Sequence, residues 1–505
     1  MSTPSSAPAQ QAADDARRKG FLIPMLVVSG GQLLIVLNDV IANVGLPAIQ
    51  ADLGMSPGTM PWVVNAYILL FGALLLFGGR LGDLYGRRRL LRIGLVVFMV
   101  GALIAGLAAS GTVVILARAL QGVGAALTAP NVLASINSTF PAGKHRNTAL
   151  ALYGAMSGLG VAVGLLVGGV LTGTLGWNWM FYLNLPIGLL LLVGTRSLVE
   201  AERHQGKLDV AGAVLGTGAM ASLVYAITRG GEHGWADPTT LGFLIAAAVL
   251  LLVFLTVQSR MNDPMLPLRV FKSRNRAGAY FGMLMVSFGP LGMFYLLNLY
   301  MQYVLDFEPL QTGLAWLPFA VGIVLGAAIS SKLAAALAPR WILGAGMLIA
   351  AGGLFSLTFI GASTSYWSHL MPAIFATAFG FTLNFVPLTS AAVSSAAPQD
   401  TGIASALLNT GQQIGTALGM AVTSSIAVTV TTGDLPDALG KLTQGRQDGD
   451  TQLVARASDA LVNGYTAALV VGAVSLVLAA IITAIIINAK RPAPANSDLT
   501  RSEAS

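Results

Sequence analysis

Two ionisable residues stand where few are tolerated. Asp39 falls in the apolar stretch 21-47 and Arg118 in the stretch 112-134; they are the carboxylate and the cation that sit well inside membrane-length runs. An isolated charge at that depth costs at least about 2.5 kcal/mol, so each needs compensation. For Arg118 the candidates are nearby carboxamides and carbonyls, or Asp39 itself. A carboxyl whose distance from a cation or from water changes during a rearrangement can load and release a proton, and proton coupling through Asp39 and Arg118 is the functional expectation. The competing reading is a permanently satisfied polar clamp between helices.

The elements that must position this pair are membrane spans. Hydrophobic residues make up 55% and charged residues 10% of 505 positions, against about 25% charged in ordinary soluble domains. Apolar runs separated by polar turns predict helices near 21-47, 60-79, 90-110, 112-134, 148-174, 180-198, 208-228, 240-259, 276-303, 311-331, 341-361, 367-391, 401-430 and 463-489, fourteen in all. Assigning alternate loops to opposite sides puts 23 Lys/Arg on the side of the amino terminus, 4 on the other and 1 in the membrane. Both termini are therefore expected in the cytoplasm. The net charge of +7 follows from topology and needs no nucleic-acid partner.

Residues 1-20, rich in Ser, Ala, Pro and Gln, read as a disordered cytoplasmic tail, and 490-505 as a second one. The first apolar stretch is too long for a cleaved signal and reads as a permanent span. A polar segment at 431-462 carries Asp434, Asp437, Asp448, Asp450 and Asp459 and is expected as an external loop or small cap. The stretch from Arg260 to Arg276 mixes apolar and basic residues and can lie along the cytoplasmic interface.

Between the second and third spans, Gly78-Gly79-Arg80-Leu81-Gly82-Asp83-Leu84-Tyr85-Gly86-Arg87-Arg88-Arg89 forms a short basic turn with one acid. Its glycines permit close approach and unusual dihedrals, while Asp83 can pair with arginine or sit at a helix amino terminus, which makes a breakable latch. In the fifth span Gly160, Gly164 and Gly168 recur every four residues and make a smooth packing face. The second span and its turn are loosely echoed by the tenth: Trp62 by Trp316, Gly79-Arg80-Leu81-Gly82 by Ser331-Lys332-Leu333-Ala334, Arg87 by Arg340. The echo divides the chain into an N-terminal six-helix bundle at 21-200, an inserted helix pair and linker at 201-275, and a C-terminal six-helix bundle at 276-489. Twin halves imply a site between them near mid-membrane.

Gly79, Leu81, Asp83, Gly86, Arg87 and Arg88 match the second-to-third-span loop motif of the major facilitator superfamily, and Arg118, Gln121, Gly122, Gly124 and Ala125 match its fourth-span motif. With the inserted pair and the Pro264, Leu266, Pro267, Leu268, Phe271 pattern, nearly the whole chain resembles the 14-span drug:proton antiporter branch of that superfamily. The resemblance implies an all-α polytopic membrane protein working by alternating access, with Gly79, Asp83, Gly86, Arg87 and Arg88 and the fifth-span glycines in gating. The sequence departs from the branch twice. The usual acid position of the first span holds Asn38, with the acid moved to Asp39, about 100° around the helix, and Leu165 stands where the fifth-span motif has proline.

A cavity between the halves would suit bulky amphipathic compounds. Its polar candidates are Asn38, Asn43, Asn65, Tyr67, Gln121, Asn298, Tyr300, Asn384, Asn409, Gln412 and Gln413. For each the alternative is a helix-to-helix hydrogen bond. The expected partners are small amphipathic or hydrophobic compounds and membrane lipids; a monomer, no cofactor, no metal and a proton gradient as energy source are expected. The four histidines, His145, His204, His233 and His369, lie in loops or at span ends, and cysteine, a His-Glu-x-x-His pattern and a nucleotide-binding glycine loop are all absent from the sequence. These absences argue against an intramembrane enzyme. The preferred reading is proton-driven multidrug efflux across a bacterial plasma membrane; the alternatives are export of a native lipid or secondary metabolite, and a lipid-binding sensor that moves nothing.

Overall fold

In hydrocarbon no water completes the hydrogen bonds of the backbone, so apolar runs of this length must close their bonds within themselves as helices. The computed structural model describes residues 7–141, 143–200, 208–261, 264–393 and 401–488. Among them fourteen helices are long and apolar enough to cross a bilayer. They are α1 (Ala7–Val44), α2 (Trp62–Tyr85), α3 (Arg87–Gly106), α4 (Gly111–Thr139), α5 (Lys144–Thr174), α6 (Asn178–Ser197), α7 (Val210–His233) and α8 (Pro238–Arg260). After the linker follow α9 (Arg274–Val304), α10 (Pro309–Ala334), α11 (Pro339–Phe359), α12 (Tyr366–Ala392), α13 (Thr401–Asp434) and α14 (Thr451–Ile486). The protein is an all-α, multi-pass membrane protein.

The helices form two bundles with the same internal pairing. In the first, α4 packs on α2 and α3, and α5 packs on α1; in the second, α12 packs on α10 and α11, and α13 packs on α9. The bundles meet along two seams, α2 with α13 and α5 with α10. Helix α7 lies over the first seam, touching both α2 and α13, and α8 packs on α7. The inserted pair thus covers one junction between the halves.

Two expectations are corrected. Residues 7–20, expected as disordered tail, extend α1 backwards; their Ala, Gln and Arg favour helix, and Pro8 falls in the first turn, where proline is tolerated. The segment 431-462, expected as an external loop or small cap between the last two spans, is mostly helical: α13 runs to Asp434, a short helix spans Ala438–Asp448, and α14 starts at Thr451 with Asp450 accepting hydrogen bonds from the N–H groups of Gln452 and Leu453, each 3.0 Å. Polarity there marks exit from hydrocarbon, not loss of helix. Residues 1–6, 201–207 and 490–505 of the expected tails and linker lie outside the described residues.

Candidate functional site

A cavity of about 1910 Å³ lies between the bundles, walled by α1, α2, α4 and α5 on one side and by α9, α10, α12 and α13 on the other. Much of its surface is apolar, with Phe71, Phe294, Phe319, Phe381 and Phe385 among the lining rings. Arg80, Asp83, Arg87, Asp209 and Arg269 also line it, so it reaches the face that carries the Arg87 turn, the basic face. Linker residues Pro264, Met265 and Pro267 join that wall, and Asp209 ties them in by accepting from the Met265 N–H at 3.1 Å and from the Gln258 carboxamide.

The opposite, far face is shut by bonds between bundles. Helix α1 ends at Val44, just before Pro47, which lacks the N–H that would serve the carbonyl of Asn43. Asn298 of α9 donates its carboxamide to that carbonyl at 2.6 Å, and Gln302 donates to the Val44 carbonyl at 3.0 Å. Tyr303 donates its hydroxyl to Gln50. At the other seam the backbones nearly touch: a Cβ added at Gly313 would sit 2.5 Å from the Leu165 carbonyl oxygen. Leu165 is buried and α5 is one helix from Lys144 to Thr174.

Rotation about α1 separates two adjacent polar residues. Asp39 and Asn43, one turn apart, line the cavity, whereas Asn38 is turned about 100° away into the first bundle and is fully buried. Its Oδ1 accepts from Gln121 at 3.2 Å and from Asn184 at 3.3 Å. Arg118, also fully buried, donates from Nε to the Val63 carbonyl at 2.8 Å and from Nη1 to Gln121 Oε1 at 3.1 Å, with its guanidinium 4.4 Å from the centre of the Tyr67 ring. Of the two kinds of partner expected for Arg118, the structure supplies the neutral ones. Among the described residues no ion pair joins it to Asp39.

The polar candidates accordingly fall into two groups. Asn38, Gln121, Asn65 and Tyr67 are enclosed within the first bundle; Asn298 clasps the far face; Tyr300 donates to the Gly361 carbonyl at 2.6 Å and Asn384 to the Gly380 carbonyl at 2.6 Å. Asn43, Asn409, Gln412 and Gln413 line the cavity. The sequence reading passed over Asn184, although an asparagine inside the sixth apolar run was a visible signal.

On the basic face Arg87 holds Asp83 across Gly86, with Nη2 2.9 Å and Nε 3.1 Å from Oδ1, and reaches the Ala134 carbonyl at 3.2 Å. Gly86 adopts φ 103°, a region that disfavours side chains. Arg88 donates its N–H to Glu200 at 3.1 Å, so Glu200, also missed from sequence, places its charge at the positive start of α3. Gly79 faces Pro130. The fifth-span glycines let α5 lie against α1: added Cβ atoms would come within 2.9 Å of Val36 at Gly160, 3.3 Å of the Leu37 carbonyl oxygen at Gly164 and 2.9 Å of Ile41 at Gly168.

This arrangement of paired bundles around a central cavity coincides with a sequence match: residues 28–420 fit the model of the Major Facilitator Superfamily. The chain belongs to that superfamily. It is 37% identical over 498 residues to the puromycin resistance protein pur8 of Streptomyces alboniger, covering 97% of this chain and 96% of the relative. It is 34% identical over 415 residues to the cephamycin export protein CmcT of Amycolatopsis lactamdurans, covering 81% and 85%. Among solved structures, a bacterial homolog of the human lysosomal transporter Spinster, in an inward-facing and unoccupied conformation, superposes with a TM-score of 0.66 at 19% identity over 93% of this chain and 97% of that one, which is a likeness of fold. The protein is a membrane transporter of this superfamily, not an enzyme.

Proposed function

We propose that this transporter exports amphipathic, drug-like compounds across a bacterial plasma membrane in exchange for protons, with both termini in the cytoplasm. The observation that carries the reading is the cavity itself: it is shared by both bundles, apolar over much of its wall, open to the basic face, closed at the far face, and lined away from its basic mouth, where Asp83 and Asp209 stand, by the carboxylate Asp39. The Lys/Arg excess on the side of the Arg87 turn supports a cytoplasmic basic face. In the cycle, a compound and a proton compete for the region around Asp39; breaking the Asn298 and Gln302 bonds opens the far face, while approach of the C-terminal bundle to the Asp83–Arg87 turn closes the basic one. The relatives named for puromycin resistance and cephamycin export favour efflux as the direction. The second of them also favours a variant reading, export of a native secondary metabolite through the same cavity.

Reconstitution in sealed vesicles with ethidium and an imposed pH gradient tests the proposal. Uphill dye movement that collapses with an uncoupler is expected. Flux indifferent to the gradient would indicate a facilitator, and binding without flux a sensor.

A further inference from the structure

The cavity face of α13 carries three carboxamides in one row. Asn409, Gln412, Gln413 and Thr416 all line the cavity; at 3.6 residues per turn they share one side of the helix and extend over about 10 Å. Thr416 is committed, donating its hydroxyl to the Gln412 carbonyl at 2.9 Å. Among the described residues, the carboxamides of Asn409, Gln412 and Gln413 hold no partner in the protein, although Gln413 packs its Cβ against Gly72 of α2. Carboxamides in a membrane span are costly unless something hydrogen-bonds them; Asn38, Asn298, Gln302 and Asn384 find partners within the protein, Asn65 is sealed inside the first bundle without one, and the three of α13 instead face the cavity, where a bound compound can reach them. Across the same cavity stands Asp39, whose Oδ1 also lacks a partner in the protein. The cavity therefore has a charged side and a neutral hydrogen-bonding side, with phenylalanines between.

We propose that Asn409, Gln412 and Gln413 form a hydrogen-bonding rail that selects, among cationic amphiphiles, those carrying hydroxyl, carbonyl or amide groups at the end opposite their ammonium, which Asp39 holds. This rests on the cavity being the export site and narrows its substrate class: a lipophilic cation without hydrogen-bonding groups gains nothing from α13. Each carboxamide-to-substrate bond contributes about threefold to tenfold in affinity. The rail carries no formal charge, so its contribution is independent of pH.

The test compares two probes on the full chain. Doxorubicin carries one amine and several hydroxyl and carbonyl groups; tetraphenylphosphonium carries charge and rings alone. Binding to the purified protein is measured for wild type, Gln412→Leu and the double variant Asn409→Leu/Gln412→Leu, replacements of similar volume. Expected is a loss of doxorubicin affinity of about threefold to tenfold for the single variant and more for the double, with tetraphenylphosphonium affinity unchanged within about twofold, which also shows that the variants fold. Equal loss of both probes, retention of both, or a wild type that binds neither would overturn the rail. Wild type and variants that show the expected split in binding but move neither probe across vesicles would instead sink the export reading and leave the rail standing.

Discussion

The two bundles present polar groups to one cavity in opposite ways. In the N-terminal bundle a chain of side chains is bonded within the protein, Arg118 to Val63 and Gln121, Gln121 to Asn38 and Asn184 to Asn38, and beside it Asp39 faces the middle of the cavity. In the C-terminal bundle the cavity-facing carboxamides of α13 are neutral and uncommitted. On the proposed reading, the two related halves have separate tasks. In that proposal a bonded polar chain fixes the environment of one titratable group in one half, and the other half would offer hydrogen bonds to cargo.

If the tasks are separate, damage to one side should spare the other. The largest expected effect comes from Arg118→Lys. An ammonium lacks the planar fork that reaches the Val63 carbonyl and Gln121 together, and losing one charged hydrogen bond in the interior costs about 1.5–3 kcal/mol. Thermal unfolding should show that loss and proton-driven uptake should fall with it, while the ratio of doxorubicin to tetraphenylphosphonium affinity stays within about twofold of wild type, since both cations meet Asp39 alike and the rail is neutral and lies on the other bundle. A ratio that collapsed along with stability would merge the two tasks into one.

A smaller effect is expected at the far face, where the halves touch. Asn298→Ala removes the bond to the Asn43 carbonyl, a change of about 1 kcal/mol or about fivefold in the balance between closed and open far-face states. In this naturally cysteine-free chain, a cysteine placed at buried Val44 should then react about fivefold faster with a water-soluble maleimide. An unchanged rate would remove Asn298 from the gate. The smallest expected effect lies outside the cavity. Asp237, at the start of α8, has its carboxyl held below the usual carboxylate range, first by the Thr240 N–H at 3.0 Å and then by Arg229 at 3.0 Å. A depressed value means that this carboxylate stabilises the fold above its unfolded range and that the contribution fades as pH falls through the lower, folded value. Asp237→Asn should therefore lower the melting temperature slightly at neutral pH and narrow its gap to wild type near pH 3, leaving doxorubicin binding untouched.

Hydropathy made the spans legible because lipid imposes one solution on long apolar runs. It did not reach the helical segment at 431-462, whose polarity hid its helix. The turn of Asp39 away from Asn38 was legible as a rotation of about 100°, but which of the two faced the cavity depends on where Gln121 and Asn184 sit. Nor could the sequence separate Asn298 from Asn409. Both are amides in apolar runs; one is consumed by a carbonyl that Pro47 leaves unserved on another helix, and the other meets open space. Composition records the presence of a polar group, and only packing decides whether the protein has already used it.

Alternating access makes the most direct demand on distance. Spin labels placed as a pair at exposed Ala51 and Leu310 report the separation of the bundles at the far face, and a pair at Tyr85 and Leu337 reports it at the basic face. Doxorubicin and a change of pH should move the two separations in opposite directions, the far face widening as the basic face narrows. A single fixed distance at each face under every condition would contradict a cavity that opens alternately to the two sides.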